Sequence, residues 1–200
     1  MKLYYSPTSP YARKVLAIAH EKGLTGKIEK LAGREPGVNL HAMNPLDKIP
    51  TLVTDDGEVL IESALISQYL DEVGNGRKLY PAGGKERRRM LQLEAIGHGV
   101  CDAGVLVRME ARMHKPEQMS PEWIERQQKK LKRGFAAMEQ ALDELGPTIT
   151  PAHITYAVTL FFFEQHKVAP GWREAAPKLA KWYDEFSCIP CMATTEPVIA

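Results

Sequence analysis

Over the first seventy-odd residues the apolar periodicity switches from strand to helix to strand, then to a hairpin and a second helix, and few folds accommodate that order. Leu3 to Tyr5 is a short apolar strand. After a turn at Ser6 to Ser9, the spacing predicts a helix from Pro10 to Lys22, ending at Gly23, with Val15, Leu16 and Ala19 as its buried stripe. Lys27 to Leu31 predicts a second, weaker strand, and Ala32 to Asn44 a loop with one helical turn. Thr51 to Val53, a tight Asp55-Asp56-Gly57 turn and Val59 to Ile61 then spell a hairpin. Leu65, Ile66, Tyr69, Leu70 and Val73 return to helical spacing at once. A parallel crossover followed by a hairpin can share one sheet, so this order is a thioredoxin-like α/β arrangement by pattern alone.

Gly74 to Gly84 carries four glycines and a proline and marks a linker. The expected division is an α/β domain over residues 1–75, a linker over 76–86 and an all-α C-terminal domain over 87–200. Leu131, Phe135, Met138, Leu142 and Leu145 form one helical stripe. The segment Ile154 to Phe163 is apolar nearly all round and belongs at the centre of the second domain. Trp182, Tyr183 and Phe186 fall on a later packing helix.

Composition narrows the function classes. Twenty-six basic and twenty-five acidic residues leave a net charge of +1, so no global field draws the protein to nucleic acid or to an anionic membrane. The run Arg87-Arg88-Arg89 reads as a solvated helix face. Tyr156 to Phe163, the longest apolar-rich run, is far shorter than the roughly 20 residues of a spanning helix. The amino-terminal residues have no export-signal pattern, and the three cysteines, Cys101, Cys188 and Cys191, suit free thiols in a reducing compartment. Cys188-Ile189-Pro190-Cys191 lacks the second pair of a zinc site and the preceding βαβ unit of a redox motif, so neither role is expected.

Three segments carry the chemistry: Ser6-Pro7-Thr8-Ser9-Pro10-Tyr11-Ala12-Arg13-Lys14, Asn44-Pro45-Leu46-Asp47-Lys48-Ile49-Pro50-Thr51-Leu52, and Glu62-Ser63-Ala64-Leu65-Ile66. In order and spacing they resemble the three glutathione-site signatures of the glutathione transferase family. Val168 to Trp172 and Thr195-Glu196-Pro197 are similar to bacterial members of the YibF-like, serine type. The helical domain matches more loosely.

The resemblance implies a glutathione transferase fold with glutathione as co-substrate and no metal. It implies an enzyme of detoxification type, acting in the cytoplasm as a homodimer on a small, largely apolar electrophile. It places a thiolate-stabilising hydroxyl at Ser9, helped by the positive end of the helix that begins at Pro10. Lowering a thiol pKa by about two units needs roughly 2.7 kcal/mol. From the local pattern alone Ser9 is a helix cap with Pro10 at N1, and Tyr5 is the rival donor. Ile49 is expected to offer its backbone to the cysteinyl part of glutathione before a cis Pro50. Ser63 is the expected ligand of the γ-glutamyl carboxylate at a helix start, Glu62 that of the ammonium, and Lys48 that of the glycine carboxylate. Tyr11, Arg108, Met109, Arg112 and Met113 are candidates for the electrophile pocket, which the family places between the domains.

Two positions depart from the family. His98 stands where several classes have an aspartate that reaches across the dimer, and Asp102 lies one turn later on the same face. Thr150-Pro151-Ala152-His153 keeps the threonine of a capping box without its acid, an expected loss of about 1 kcal/mol. Gly97, Gly99 and Gly104 are expected to permit close approach of a second subunit. The rival readings are a glutathione-dependent thiol reductase or peroxidase, which a cysteine at position 9 would suit better, and a transferase-fold scaffold similar to the stringent-starvation type.

Overall fold

The computed structural model describes residues 1–35 and 37–197. Two compact units divide it: Met1–Tyr80 together with the end of the chain from Ile189, and Pro81–Cys188.

In the first unit, β1 (Lys2–Tyr5), α1 (Pro10–Glu21), β2 (Glu29–Ala32), β3 (Thr51–Val53), β4 (Val59–Ile61) and α2 (Ser63–Val73) follow one another. The sheet order is β2-β1-β3-β4, with β1 and β2 parallel and the other neighbours antiparallel. Leu3 pairs with Leu52, which pairs with Leu60, and all three are buried. Alternation along each strand therefore puts one apolar row on the core face. β2 begins two residues later than the sequence predicts, because Thr25–Lys27 form a 3-10 turn that takes Lys27 out of the ladder. α1 buries Ala12, Val15, Ile18 and Ala19, while Leu16 is left half-exposed.

The chain end from Ile189 belongs with this unit, a correction to its assignment to the helical domain. A short helix, α9 (Pro190–Ala193), packs on α1. There Arg13 Nη2 donates to Met192 O at 2.9 Å, and Cys191 and Met192 are fully buried. Four residues are too few to show a periodicity of their own. Burial, and after it the nearby Glu21 carboxylate, pushes the Cys191 thiol up to about 12.

Lys22 and Asp71 lock α1 to α2. Lys22 Nζ lies 3.1 Å from Asp71 Oδ1 and donates to Arg77 O at 2.7 Å. Asp71 also accepts the N–H groups of Leu79 and Tyr80 at 2.8 and 3.2 Å. Both charges are buried, and each is satisfied by the other and by backbone, which a buried pair requires.

The second unit is helical: α3 (Gly84–Met113), α4 (Pro121–Gln140), α5 (Leu142–Leu145), α6 (Pro151–His166), α7 (Trp172–Ala175) and α8 (Pro177–Ser187). α6 is buried through almost its whole length and packs on α3, which also packs on α4. Glycines make the close approach possible. A Cβ on Gly97 would stand 2.9 Å from Tyr156, one on Gly104 1.9 Å from Phe163, and one on Gly134 2.2 Å from Val100. Gly97 and Gly104 thus admit α6 within this unit, not a second subunit, whereas a Cβ on Gly99 would meet no atom of another element within 4 Å among the described residues. α3 contains an 18-residue window of mean hydropathy 1.2, of which 44% is buried, so by length and composition alone it passes for a spanning helix. Its contacts with α4 and α6 are those of a core helix.

The expected weakness at the start of α6 is also corrected. Thr150 N–H donates to His153 Nδ1 at 3.2 Å, and His153 Nε2 lies 3.1 Å from Gly146 O. With Nδ1 accepting, Nε2 carries the proton and donates to that carbonyl, so a neutral imidazole does the work of the missing acid.

Candidate functional site

The strand register brings the three motifs to one end of the sheet. Tyr4 pairs with Thr51 and Thr51 with Ile61, so the β1–α1 turn, the Ile49-Pro50 loop and the Glu62-Ser63 corner all leave the sheet on the same side.

Ser9 caps α1. Its Oγ accepts the N–H of Ala12 at 3.2 Å, with Pro10 following at N1. A hydroxyl has two acceptor lone pairs and one donor hydrogen. Capping uses a lone pair and leaves the hydrogen for another acceptor, so the capping and thiolate-holding roles are compatible. The macrodipole adds positive potential at that point.

The Ile49–Pro50 bond is cis. Asn44, which the sequence reading quoted as part of the motif without assigning it a task, is 1% exposed and builds the loop. Its Nδ2 donates to Lys48 O at 2.9 Å and to Thr51 Oγ1 at 3.0 Å, while its Oδ1 accepts from Leu46 N at 3.0 Å. Asp47 sits at φ 50°, a left-handed position that aspartate tolerates. Gly33 is a second omission: a Cβ there would stand 2.5 Å from Ile49 Cγ2, so only glycine lets Ile49 seat. Among the described residues, neither the N–H nor the C=O of Ile49 has a hydrogen-bond partner. Lys48 is exposed at the loop's rim.

Glu62 precedes α2 at φ 68°, ψ 124°, outside the region a side chain prefers. Among the described residues no side chain caps the first amides of α2, the first turn holds no acid, and Ser63 is buried. An uncapped helix start of this kind is an anion site.

Tyr5 is half-buried and lines a cavity of about 470 Å³ along the flank of α1, which touches none of Ser9, Ile49, Pro50, Glu62 and Ser63. Tyr11 is half-buried in the first turn of α1. In the helical unit, Arg108, Met109, Arg112 and Met113 occupy the last two turns of α3, where Met113 is 70% exposed. The guanidinium of Arg108 lies 5.7 Å from the centre of the Phe162 ring. Burial, then Arg112, holds the Arg108 pKa below its ordinary value. His98 is half-buried and Asp102 exposed on α3. Among the described residues no three His, Cys, Asp or Glu side chains form a metal-binding group.

Comparison with known proteins bears on the family. Residues 8–73 match the glutathione S-transferase N-terminal domain and residues 121–185 the C-terminal domain. The Escherichia coli (strain K12) GST-like protein YibF is 31% identical, with 98% of each chain covered. The chain belongs to the glutathione S-transferase family. Within it, a Pseudomonas fluorescens Pf-5 member solved with bound glutathione is 37% identical, with a TM-score of 0.93 over 99% of each chain. The same target was also solved with S-(propanoic acid)-glutathione, at a TM-score of 0.90 over 100% of each chain. A Rhizobium meliloti maleylacetoacetate isomerase is 32% identical over 70% of this chain and 66% of its own length.

Proposed function

We propose that this family member is a glutathione transferase that binds glutathione on its first unit and joins the thiolate to a small electrophile. The convergence of three elements at one sheet end carries the reading: the Ser9 hydroxyl at the start of α1, the open backbone of Ile49, and the uncapped start of α2. Ile49 offers a strand-like pair of hydrogen bonds to an extended peptide. The α2 amides and Ser63 take its γ-glutamyl carboxylate, Glu62 its ammonium and Lys48 its glycine carboxylate. Ser9 donates to the sulfur, with Tyr5 as the alternative donor. Catalysis is then thiolate stabilisation plus positioning.

Tyr11, Arg108, Met109, Arg112 and Met113 are the proposed electrophile contacts. Two arginines one turn apart suit a carboxylate, and a similar protein was solved with a glutathione conjugate that bears one. The likeness to a maleylacetoacetate isomerase favours a second reading, isomerisation, which draws on the same thiolate. A reductase passing through a protein mixed disulfide is disfavoured, because Ser9 has no thiol to form one. A cytoplasmic homodimer acting in detoxification completes the proposal; the open surface at Gly99 and the 54% exposure of Leu46 leave room for a second copy.

Calorimetric titration with glutathione, followed by turnover of a chlorodinitrobenzene, tests the proposal. Binding with conjugation supports it. Absence of binding at millimolar glutathione would leave only a transferase-fold scaffold.

A further inference from the structure

Ile49 carries the backbone proposed to meet the cysteinyl part of glutathione, and its side chain lies against Gly33, a buried residue one position past the end of β2. Gly33 is itself pinned. Its N–H donates to Tyr5 O at 2.9 Å, which continues the β1–β2 pairing beyond Tyr5 and Ala32. Tyr5 ends β1, and the turn over residues 6–9 that presents Ser9 follows it directly. One residue is therefore in contact with the strand end that leads to Ser9 and with the side chain of Ile49.

The backbone at Gly33 does not call for glycine, because its φ lies outside the left-handed region and an alanine would follow the same path. A single contact calls for it. A Cβ at Gly33 would stand 2.5 Å from Ile49 Cγ2, but at an ordinary 3.5 Å from Tyr5 N and O. Cγ2 branches straight from Cβ and has no flexible arm to fold away. Two of the three staggered χ1 arrangements put a γ carbon at that place, and a β-branched side chain holds χ1 stiffly. The flanks of Ile49 are held as well: Asn44 Nδ2 and Thr51 Oγ1 donate to Lys48 O at 2.9 and 2.8 Å, and Thr51 pairs with Tyr4 in the sheet. With Gly33 and both flanks fixed, the movement that a methyl group forces falls on Ile49.

We infer that Gly33 is a positioning residue for glutathione: its missing Cβ sets how far Ile49 stands from the end of β1, and with that the grip on the tripeptide and the register of its sulfur against Ser9. This deepens the proposed glutathione site and rests on it. A methyl group at Gly33 acts through Ile49, whose displaced backbone carries the cysteinyl residue, and so the sulfur, away from the Ser9 hydroxyl.

Calorimetric titration of the full chain with glutathione, the pH dependence of the bound thiol, and turnover of a chlorodinitrobenzene test the inference. Gly33→Ala is expected to weaken glutathione roughly tenfold, the scale of one hydrogen bond. It should also raise the pKa of the bound thiol toward that of the free thiol, and raise KM for glutathione but not for the chlorodinitrobenzene. A smaller folded fraction alone would lower kcat and move neither KM nor the thiol. Ile49→Ala removes Cγ2, whereas Ile49→Val keeps a methyl in its place. Adding Gly33→Ala to Ile49→Ala is therefore expected to change glutathione affinity by less than about twofold, and adding it to Ile49→Val to cost as much as in the parent. Should Gly33→Ala alone fail to fold, the Ile49→Ala background decides: a double variant that binds like Ile49→Ala supports the inference, and one that binds more weakly or does not fold overturns it. Unchanged glutathione affinity in a folded Gly33→Ala protein, equal losses in the two Ile49 backgrounds, or an equal rise in both KM values also overturns it. A parent that binds no glutathione removes the glutathione site and this inference with it, whereas a binding parent with an unaffected Gly33→Ala variant removes this inference alone.

Discussion

Ser9 Oγ accepts the backbone N–H of Ala12 at 3.2 Å, so the residue proposed to hold the glutathione sulfur is also the cap that starts α1. The two tasks use different parts of one hydroxyl, and substitutions separate them. Ser9→Ala removes both: stability falls by about 0.5–2 kcal/mol, the apparent pKa of bound glutathione rises, and turnover drops roughly 10²-fold. Ser9→Asp keeps an excellent cap but offers an anion with no hydrogen to donate. Its melting temperature is expected to match or exceed that of the parent while turnover falls as far as in Ser9→Ala. A pH–rate profile unchanged in both variants would move the donor to Tyr5.

Glu62 is held at φ 68° without being glycine, at the corner before the uncapped start of α2. A residue in so sparsely populated a region costs of order 1–3 kcal/mol. Glu62→Gly removes that strain and adds unfolded-chain entropy of about 0.5–1 kcal/mol. The net expectation is about 1 kcal/mol of stabilisation, or roughly 2–4 °C in Tm. Glutathione affinity should fall in the same variant, because the γ-glutamyl ammonium loses its acceptor. Scanning calorimetry and a glutathione titration on one preparation read both; a drop in Tm would show that the corner carries no strain.

Much of this is legible in the sequence. Apolar spacing alone placed the hairpin at Thr51–Val53 and Val59–Ile61, since alternation and a Gly turn are local signals. The motif segments marked the corners at Ser9, Ile49-Pro50 and Glu62-Ser63. What escaped depended on neighbours distant in sequence or on too short a segment. Gly33 matters because Ile49 lands on it, and Asn44 because three loop partners converge on its amide. The end of the chain joined the wrong domain because its four-residue helix has no periodicity to read. Gly97 and Gly104 signalled close approach correctly and named the wrong partner, since spacing does not say which helix arrives. His153 looked like a missing acid because a capping box is read by residue type, whereas its physics needs only an acceptor at the right distance.

The Lys22–Asp71 pair predicts an asymmetric mutational response. Asp71→Ala strands a buried ammonium and the N–H groups of Leu79 and Tyr80, so a loss of about 3–5 kcal/mol is expected. The double variant Lys22→Met with Asp71→Leu removes both charges and should be less damaging than Asp71→Ala alone, because no uncompensated ion remains. Urea denaturation of the parent, Asp71→Ala and the double variant measures this, and a loss in the double variant larger than in Asp71→Ala would show that the stranded ammonium is not the main cost.

His153 fixes the start of α6 through two ring nitrogens with opposite roles, and its ring stacks on Phe186 at 5.6 Å. His153→Ala frees the Thr150 N–H and the Gly146 carbonyl together and should cost about 1–3 kcal/mol. His153→Asp installs the family's acid, yet it accepts only the first of these bonds and brings a charge beside aromatic rings. It is therefore expected to recover part of the loss at most. Full recovery in thermal melts would mean that the Gly146 contact contributes nothing.

The last prediction concerns high pH. Burial raises the Tyr156 phenol from 10.0 to about 12, with Arg89 opposing and Glu144 reinforcing the shift, and burial raises the Cys191 thiol from 9.0 to about 12. Both groups keep their protons longer in the folded chain than in the unfolded one. Their contribution is therefore fully present below about pH 9 and is lost as pH rises toward 12, the window in which the unfolded chain ionises first. Tyr156→Phe isolates one of the two. Its Oη has no hydrogen-bond partner among the described residues, so removing it should leave stability near pH 7 unchanged or slightly higher. Above about pH 10 the variant should lose stability less steeply than the parent, the remaining slope coming from Cys191 and other groups. Thermal melts between about pH 7 and pH 11 test this, and identical alkaline slopes would place the Tyr156 hydroxyl in contact with water.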